Sequence, residues 1–502
     1  MVRQQPFGQD ALAVLEEYKM TNLKKVMNGR DLALLLEGDL EVLKFRFDYQ
    51  NFLMWPFIRY AILANIVFKN YFVIDFPFFA ENSFTKDLFK KNLFAYIWHS
   101  YQKNPLRYNK EAPILMFSSG VVNVKEGDGY NNRLHDYFAR LYPSSTLIIE
   151  NSDEMKYRTP RSFPNVAYHD SFFIKAFLTG ALRQVSPQDA KSIDSLLTFL
   201  RSRLPLGIDE KSWRIFKNKL VFTAKALPYL HGLYSRLFKK LRTKVVFLED
   251  AGLGRRSFII KWAKEAGLKT VELQHGTVSK NHPAYNYAPA LAVSEYKEYL
   301  PDFFLTYGTY WDKNVTLPSK LVEIGSPAIT EATKNTLRVP VRKHKKRVLI
   351  ISSASQPELI KQVVLDLKNS LDNNFFEFYL RPHPVERSVA SERYNFLKKG
   401  EVRLDNDPLY TSLHAADIII SVEPTTVLFE AIVFKKTIFL LRSAYAEYFI
   451  DLDLFECYSD SADLVEKIKA GGSKNYDVEQ FWVSNWRERY QNFIENVVGI
   501  KP

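Results

Sequence analysis

Cysteine is almost missing from this chain: its 502 residues hold one, Cys457. A single thiol cannot close an internal disulfide or build a cysteine-rich metal centre. The composition therefore fits a reducing compartment and excludes a disulfide-stapled scaffold. Long apolar runs are missing as well. The most apolar stretch, 52–79, is interrupted by Arg59, Lys69 and Asp75, and its longest uncharged run is 60–68. A membrane-spanning helix needs about 18 or more such residues. The opening Met-Val-Arg-Gln-Gln-Pro-Phe-Gly-Gln-Asp lacks the apolar core of a secretory signal. A cytoplasmic protein with no transmembrane helix is the expectation. Several chemical signatures are also absent: a Walker A loop, a G-x-G-x-x-G after a strand, H-E-x-x-H and G-x-S-x-G. Asp451-Leu452-Asp453 matches a short D-x-D metal pattern, but its late, irregular setting reads as surface. No metal site is expected.

What the chain does have is aromatic and basic. Phe, Tyr and Trp make up 15% of it, and 69 Lys+Arg against 56 Asp+Glu leave a net charge of +13. With 46% apolar and 25% charged residues the balance is that of a globular protein, which excludes disordered, collagen-like and coiled-coil chains. The positive balance favours an acidic partner: nucleic acid, anionic lipid or a phosphorylated substrate. One segment concentrates both features. Residues 84–110 carry Lys86, Lys90, Lys91, Lys103, Arg107 and Lys110 against Asp87, interleaved with Phe84, Leu88, Phe89, Leu93, Phe94, Tyr96, Ile97 and Trp98. That mixture suits either the headgroup region of an anionic membrane or a helix with a solvated basic edge.

The first 110 residues read as a mostly helical module. Alternating strand and helix signals follow. Short apolar strands at 114–118, 147–150, 244–248 and 270–273 accompany helices at 191–204, 213–240 and 256–266. After the basic linker 342–347, which reads as a solvated domain connection, a second cycle begins. Its strands are 348–352, 376–381, 417–421 and 437–441, with helices at 357–371 and 426–434. The β-α-β order predicts two doubly wound, Rossmann-like sheets. The division expected is 1–110, 111–335, 336–475 and a closing helix in 476–502, with 478–498 read as one continuous helix returning to the first domain. No internal repeat or low-complexity tract appears.

In open α/β sheets ligands bind beyond the carboxyl ends of the strands, so the polar residues there are the candidates. The first strand end reads Leu248-Glu249-Asp250-Ala251-Gly252-Leu253-Gly254-Arg255-Arg256. Its paired carboxylates offer a general base or a nucleophile, or else a helix cap. The second reads Glu272-Leu273-Gln274-His275-Gly276-Thr277, with a histidine placed to bind an anion or shuttle a proton. In the other half, Arg381-Pro382-His383-Pro384 and Ser421-Val422-Glu423-Pro424-Thr425-Thr426 end two strands. Their hydroxyls, guanidinium and imidazole suit a phosphate, with Glu430 one turn further on facing a ribose.

The order of these motifs resembles the GT-B glycosyltransferases that use CMP-activated sugars: the carboxylate pair with Gly252, then His383-Pro384, then Ser421, Thr425 and Thr426. Bacterial sialyltransferases, polysialyltransferases and the β-Kdo transferases of capsule and lipopolysaccharide assembly belong to that group. The turn Gln274-His275-Gly276 and the segment Glu323-Ile324-Gly325-Ser326-Pro327 are also similar to CDP-glycerol glycerophosphotransferases. The resemblance covers about residues 110 to 500. It implies a GT-B fold of two Rossmann-like domains facing a cleft, and metal-independent transfer of an acidic sugar, Kdo foremost, from a CMP donor. Asp250, His275 and Glu249 would be catalytic, with Asp250 facing the anomeric carbon as base or nucleophile. His383, Pro384, Arg381, Ser421, Thr425, Thr426 and Glu430 would bind the nucleotide. No cofactor is implied beyond the donor itself. The partners would be a lipid-linked or polysaccharide acceptor and an anionic membrane surface, at the inner face of the cytoplasmic membrane, and not nucleic acid. The alternatives are a CDP-glycerol or CDP-ribitol phosphotransferase, and a non-catalytic assembly or nucleic-acid-binding protein. Against the last, no RNA- or DNA-binding motif appears and the basic residues fall in separate clusters.

Overall fold

The computed structural model describes residues 26–74, 93–153, 155–204, 207–338, 345–353, 355–383, 386–387, 389–472 and 474–501. The apolar runs become strands buried on both faces, as a parallel sheet covered by helices requires. In chain order the first half contributes β1 (Ile114–Ser119), a small antiparallel hairpin of β2 (Asn123–Glu126) and β3 (Gly129–Asn132), then β4 (Thr146–Asn151), β5 (Val166–Tyr168), β6 (Val245–Glu249), β7 (Lys269–Leu273), β8 (Phe303–Thr306) and β9 (Lys320–Glu323). All but the hairpin pair in parallel as one sheet, in the order β5-β4-β1-β6-β7-β8-β9. The second half supplies β10 (Lys346–Ile351), β11 (Phe376–Arg381), β12 (Arg403–Leu404), β13 (Ile418–Ser421), β14 (Thr437–Leu441) and β15 (Glu456–Tyr458). These form a second parallel sheet, β12-β11-β10-β13-β14-β15. The fold is α/β, with two Rossmann-like domains.

Strand order locates the crevices. The chain reverses its direction across the sheet between β1 and β6 in the first half and between β10 and β13 in the second. At such switch points the loops leaving neighbouring strands diverge and open a ligand crevice. Glu249 ends β6 and Ser421 ends β13, so both crevices carry residues singled out by sequence.

The described part of the N-terminal region is helical, as expected, and residues 47–72 of it pack into the body of the protein. Trp55–Ala64 is a helix continued by a wider turn at Asn65–Tyr71. Its Trp55, Ile58, Ile62 and Ile66 are wholly buried, in one core with β1, β6 and the long helix Glu210–Leu241. Phe57 stacks on Phe258 of the first half, and Phe68 stacks on Phe449 of the second at 5.5 Å between centroids. The aromatic excess of 47–72 therefore packs against protein. A buried ion pair pins the segment down. Arg59, 1% exposed, bonds Glu37 through Nε at 2.5 Å and donates to the carbonyls of Pro283 and Asn286. Glu37 also accepts from the Ala288 amide at 3.1 Å. The loop that follows His275 is thus tied to the N-terminal helices. Residues 84–92 of the basic, aromatic segment and 342–344 of the linker lie outside the described residues. Among those described, no helix is long and apolar enough to cross a membrane.

The closing segment corrects the sequence reading. It is not one helix over 478–498 but two, Val478–Phe481 and Trp486–Phe493, the second ending in a wider turn at Ile494–Val498. The break has a clear cause. The Val483 amide donates to the Tyr307 carbonyl at 2.9 Å, and the Trp482 indole donates to the Phe429 carbonyl at 3.0 Å. The Trp482 amide still closes a helical bond to the Val478 carbonyl, but the Val483 amide, given to the first half, cannot continue the helix, and the Trp482 indole holds the turn against the second. Gly325 makes room for this crossing: it has φ +77°, and a Cβ there would lie 2.2 Å from the Val483 oxygen. Beyond the break, Tyr490 packs on Phe138 and Phe247 of the first half.

Candidate active site

The β6 strand end separates its two carboxylates. Strand alternation turns Glu249 inward, where it is 5% exposed, 3.5 Å from the Ser118 hydroxyl and 3.7 Å from His135 Nδ1. Burial pushes its carboxyl above the usual range, against the pull of Arg256 and with the neighbouring charge of Asp250 adding to it. Asp250, next along, takes the left-handed conformation at φ 65°, ψ 26°. Such backbone costs a β-substituted residue on the order of 1 kcal/mol. In return the carboxylate leaves the sheet direction and reaches the crevice, with its side chain 18% exposed. Arg256 holds it from below. The guanidinium donates to the carbonyls of Phe117 at 2.6 Å and Ser118 at 3.2 Å, and sits 3.5 Å from Asp250 Oδ1. One arginine thus links the ends of β1 and β6, the two strands that flank the crevice.

The loop is fixed on its other sides too. At Gly252 a Cβ would lie 2.5 Å from the Ala284 carbonyl oxygen, and at Gly254, with φ +75°, 2.1 Å from that of Pro56. No other residue type fits this approach without moving the loop. Beneath it lies Glu272, fully buried at the end of β7. Burial pushes this carboxyl up to about 8; the charge of Asp250 adds to the shift, and the amides of Gly252 and Ala251 oppose it. His135, also buried, is pushed down to about 3 by desolvation and by the charges of Arg256 and Arg161. The floor of the crevice is therefore neutral at ordinary pH: a protonated Glu272 and an uncharged imidazole. Neither residue was singled out from sequence. Glu272 read as strand, and His135 lies in a stretch without strand or motif signal. His275 stands at the mouth, reachable by solvent, where the surrounding protein disfavours its cation while Asp250 favours it. Beside it a Cβ on Gly276 would meet no atom within 4 Å, so the mouth is open.

The two halves meet just past this histidine. Thr277 Oγ1 lies 3.1 Å from Thr426 Oγ1. Thr426 opens the helix Thr426–Ile432, capped by Thr425, whose hydroxyl accepts from the Val427 amide at 3.5 Å. Glu430 on the same helix is buried, and burial raises its carboxyl while Arg133 and Tyr410 lower it. Arg133, in the turn after β3, bonds Tyr410 of the second half, and its charge acts on Glu430. Sequence reasoning missed Arg133, which no motif marks.

The other described nucleotide-side candidates hold partners within the second half. Arg381 does not extend toward a ligand: its guanidinium is spent on Asp405 at 2.6 Å, the Asp407 carbonyl at 2.9 Å and Ser412 at 3.1 Å. A buried arginine at a strand end needs such partners; the loop after β12 provides Asp405 and Asp407, and the helix Leu409–Ala415 provides Ser412. Ser421 is likewise committed, 1% exposed and donating to the Glu423 carbonyl at 2.7 Å, so it shapes the turn. His383 is exposed at the end of β11, and its backbone amide donates to Glu386 at 3.3 Å. Glu386, 1% exposed, also accepts from Ser352, Tyr394 and Arg393 and so anchors this turn. Pro384 lies outside the described residues. At the second switch point Ser355 donates to Glu423 at 2.8 Å, linking the loops after β10 and β13. Asp451 is exposed and paired with Lys280 at 2.8 Å, as the surface reading of the D-x-D pattern has it.

No protein-family model matches the chain, and no curated protein matches it. Solved structures similar to it include the wall teichoic acid polymerase TagF, at 13% identity and a TM-score of 0.39 over 82% of this chain and 98% of that one. The pneumococcal O-GlcNAc transferase GtfA, in complex with UDP and GlcNAc, is 9% identical with a TM-score of 0.41 over 77% and 99%. A UDP-GlcNAc 2-epimerase from Neisseria meningitidis, bound to UDP-GlcNAc, is 11% identical with a TM-score of 0.40 over 77% and 100%. The two-sheet architecture rests on strand order and register, independently of these likenesses.

Proposed function

We propose that the protein is a glycosyltransferase that moves a sugar from a nucleotide donor to an acceptor hydroxyl held in the cleft between its two sheets. The observation that carries this reading is the convergence across the cleft. The crevice holding Asp250 and His275 abuts, through Thr277 and Thr426, the helix that bears Glu430. Nucleotide and acceptor would then lie on opposite walls with the bond to be broken between them. Asp250 takes the proton of the acceptor hydroxyl as that oxygen attacks the anomeric carbon. The bond from that carbon to the phosphate oxygen breaks, and the nucleotide leaves with both bonding electrons. Thr426 and His383 stand on the leaving-group side, where negative charge grows. Glu430, whose Oε2 is buried without a hydrogen-bond partner, has an acceptor oxygen for a ribose hydroxyl.

For the donor we favour a CMP-linked acidic sugar, Kdo first, and for the product a capsule, lipopolysaccharide or O-antigen glycan. The support is the resemblance in the order of Glu249-Asp250, His383-Pro384 and Ser421 with Thr425-Thr426. The test is a thermal-shift screen with CMP, CDP and UDP. A ligand of the native state raises stability by RT ln(1 + [L]/Kd), so CMP is expected to raise Tm the most and His383→Ala to abolish that rise. Stabilisation by UDP or CDP in place of CMP would refute the donor assignment.

A further inference from the structure

The helix Leu93–Gln102 is mounted inside out. Its two buried residues are polar in their contacts: Tyr96 donates to Asp170 at 3.0 Å, and the Ser100 hydroxyl lies 2.5 Å from that of Tyr157. Outward it presents Phe94, Ile97, Trp98 and Tyr101, which are 82%, 43%, 50% and 47% exposed. A surface helix ordinarily buries its apolar stripe and wets its polar one. An apolar face left in water marks a docking surface.

The charge around it indicates what docks. From residue 93 to residue 110 the chain has no carboxylate, and Lys103, Arg107 and Lys110 are exposed. The Arg107 guanidinium lies 4.0 Å from the centre of the Tyr101 ring, so cation and aromatic face form one unit. The end of the long helix Glu210–Leu241 adjoins through Lys240, whose ammonium donates to the Leu106 carbonyl, with Lys239 exposed beside it. Eight basic residues and one acidic residue make up the charge of that helix. The carboxylates closest in sequence or contact are taken: Asp170 is buried under Tyr96 and Ser152, and Glu111 pairs with Arg242 at 3.0 Å.

We infer that this face seats the protein on an anionic lipid bilayer. Phe94, Ile97, Trp98 and Tyr101 enter the headgroup boundary, and Lys103, Arg107, Lys110 and Lys240 meet lipid phosphates. Indole and phenol rings favour that boundary, and clustered lysines and arginines bind anionic leaflets in a salt-dependent way. A protein partner would be expected to answer so basic a rim with carboxylates of its own, and a second copy of this chain has none to offer from this face among the described residues. The inference stands apart from the reaction proposed for the cleft.

The test exploits Trp98. Six of the seven tryptophans are buried, at 4% exposure or less, and Trp98 alone is half exposed. The full chain is mixed with vesicles of phosphatidylcholine alone or with phosphatidylglycerol, some carrying brominated acyl chains. Expected are co-sedimentation with the anionic vesicles, weakening as salt is added, and partial quenching of tryptophan emission by the brominated lipid. Trp98→Phe keeps the binding and loses the quenching. Phe94→Ser/Ile97→Ser/Trp98→Ser lowers partitioning by about tenfold or more, with an unchanged thermal melt because the three side chains are exposed. Arg107→Glu/Lys110→Glu weakens binding most at low salt. Equal partitioning to neutral vesicles, no partitioning at all, or quenching that persists in Trp98→Phe would overturn the inference. So would self-association of the wild type that the triple variant relieves, since the face would then be a contact between copies.

Discussion

Replacing Glu272 by glutamine tests the electrostatic account of the crevice floor. In the fold this carboxyl titrates at about 8 against an ordinary 4.5. Holding it protonated over that interval corresponds to about 5 kcal/mol against its ionised form, an upper figure for a buried group. The sign follows from proton counting. Between about pH 4.5 and 8 the folded protein binds a proton here that the unfolded chain has released, so this group lowers stability as pH rises through that window. Glutamine has no proton to lose. Any constant cost of its buried amide is the same at every pH, so the informative quantity is the difference in Tm between wild type and Glu272→Gln as pH changes. That difference should move in favour of the variant from pH 5 to pH 8.5. Even about 2 kcal/mol amounts to roughly 4–8 °C for a domain of this size. His135, pushed down to about 3, acts in the opposite direction below its ordinary value of 6.5, but it is common to both proteins and cancels. Asp250→Asn should flatten the dependence in part, because the charge of Asp250 contributes to the shift. Differential scanning fluorimetry in matched buffers suffices. A Tm difference that stays constant with pH would refute the protonated floor.

Three further outcomes are expected. Arg256→Lys loses the fork that spans Phe117, Ser118 and Asp250; turnover should fall about a hundredfold with KM little changed, and an unaltered kcat would remove Arg256 from its positioning role. Arg59→Met leaves Glu37 buried and uncompensated and should cost about 3–5 kcal/mol in urea unfolding, with a loss under 1 kcal/mol contradicting the ion pair as an anchor. Gly325→Ala forces a methyl group into the Val483 carbonyl at a left-handed position; it should destabilise by more than about 1 kcal/mol and expose 482–485 to limited proteolysis, and wild-type resistance would count against the crossing.

Much of this fold was written in local patterns. The buried strands β1, β6, β10 and β13 are unbroken apolar runs, and the long helix Glu210–Leu241 keeps its periodicity through Pro228. The missed strands are of another kind. β5, β9, β12 and β15 are short edge strands, and β2 with β3 a separate hairpin, whose existence depends on the neighbour they pair with; β8, Phe-Phe-Leu-Thr, is the one interior strand missed. The break at 482–485 was invisible for the same reason, since the Val483 amide bonds the Tyr307 carbonyl and the Trp482 indole the Phe429 carbonyl, both distant in sequence. In the site, motif position brought Asp250, His275, Thr426 and Glu430 to facing crevices. Arg381 and Ser421 already hold partners within the protein, because residue type says what a side chain can bind but not what has satisfied it. Arg133, His135 and Glu272 carry no motif and become candidates only when the sheet order places them beside Asp250 and Glu430.

The most direct measurement of the central claim is product analysis after incubation with CMP-Kdo or CDP-glycerol and an oligosaccharide acceptor. Release of CMP alone does not discriminate, since both donors yield it. Mass and nuclear magnetic resonance spectra of the product do. The account predicts a phosphorus-free glycosidic linkage formed from CMP-Kdo and reduced roughly 10²–10⁴-fold by Asp250→Asn in a folded protein. A phosphodiester product formed from CDP-glycerol, or undiminished transfer by Asp250→Asn, would contradict it.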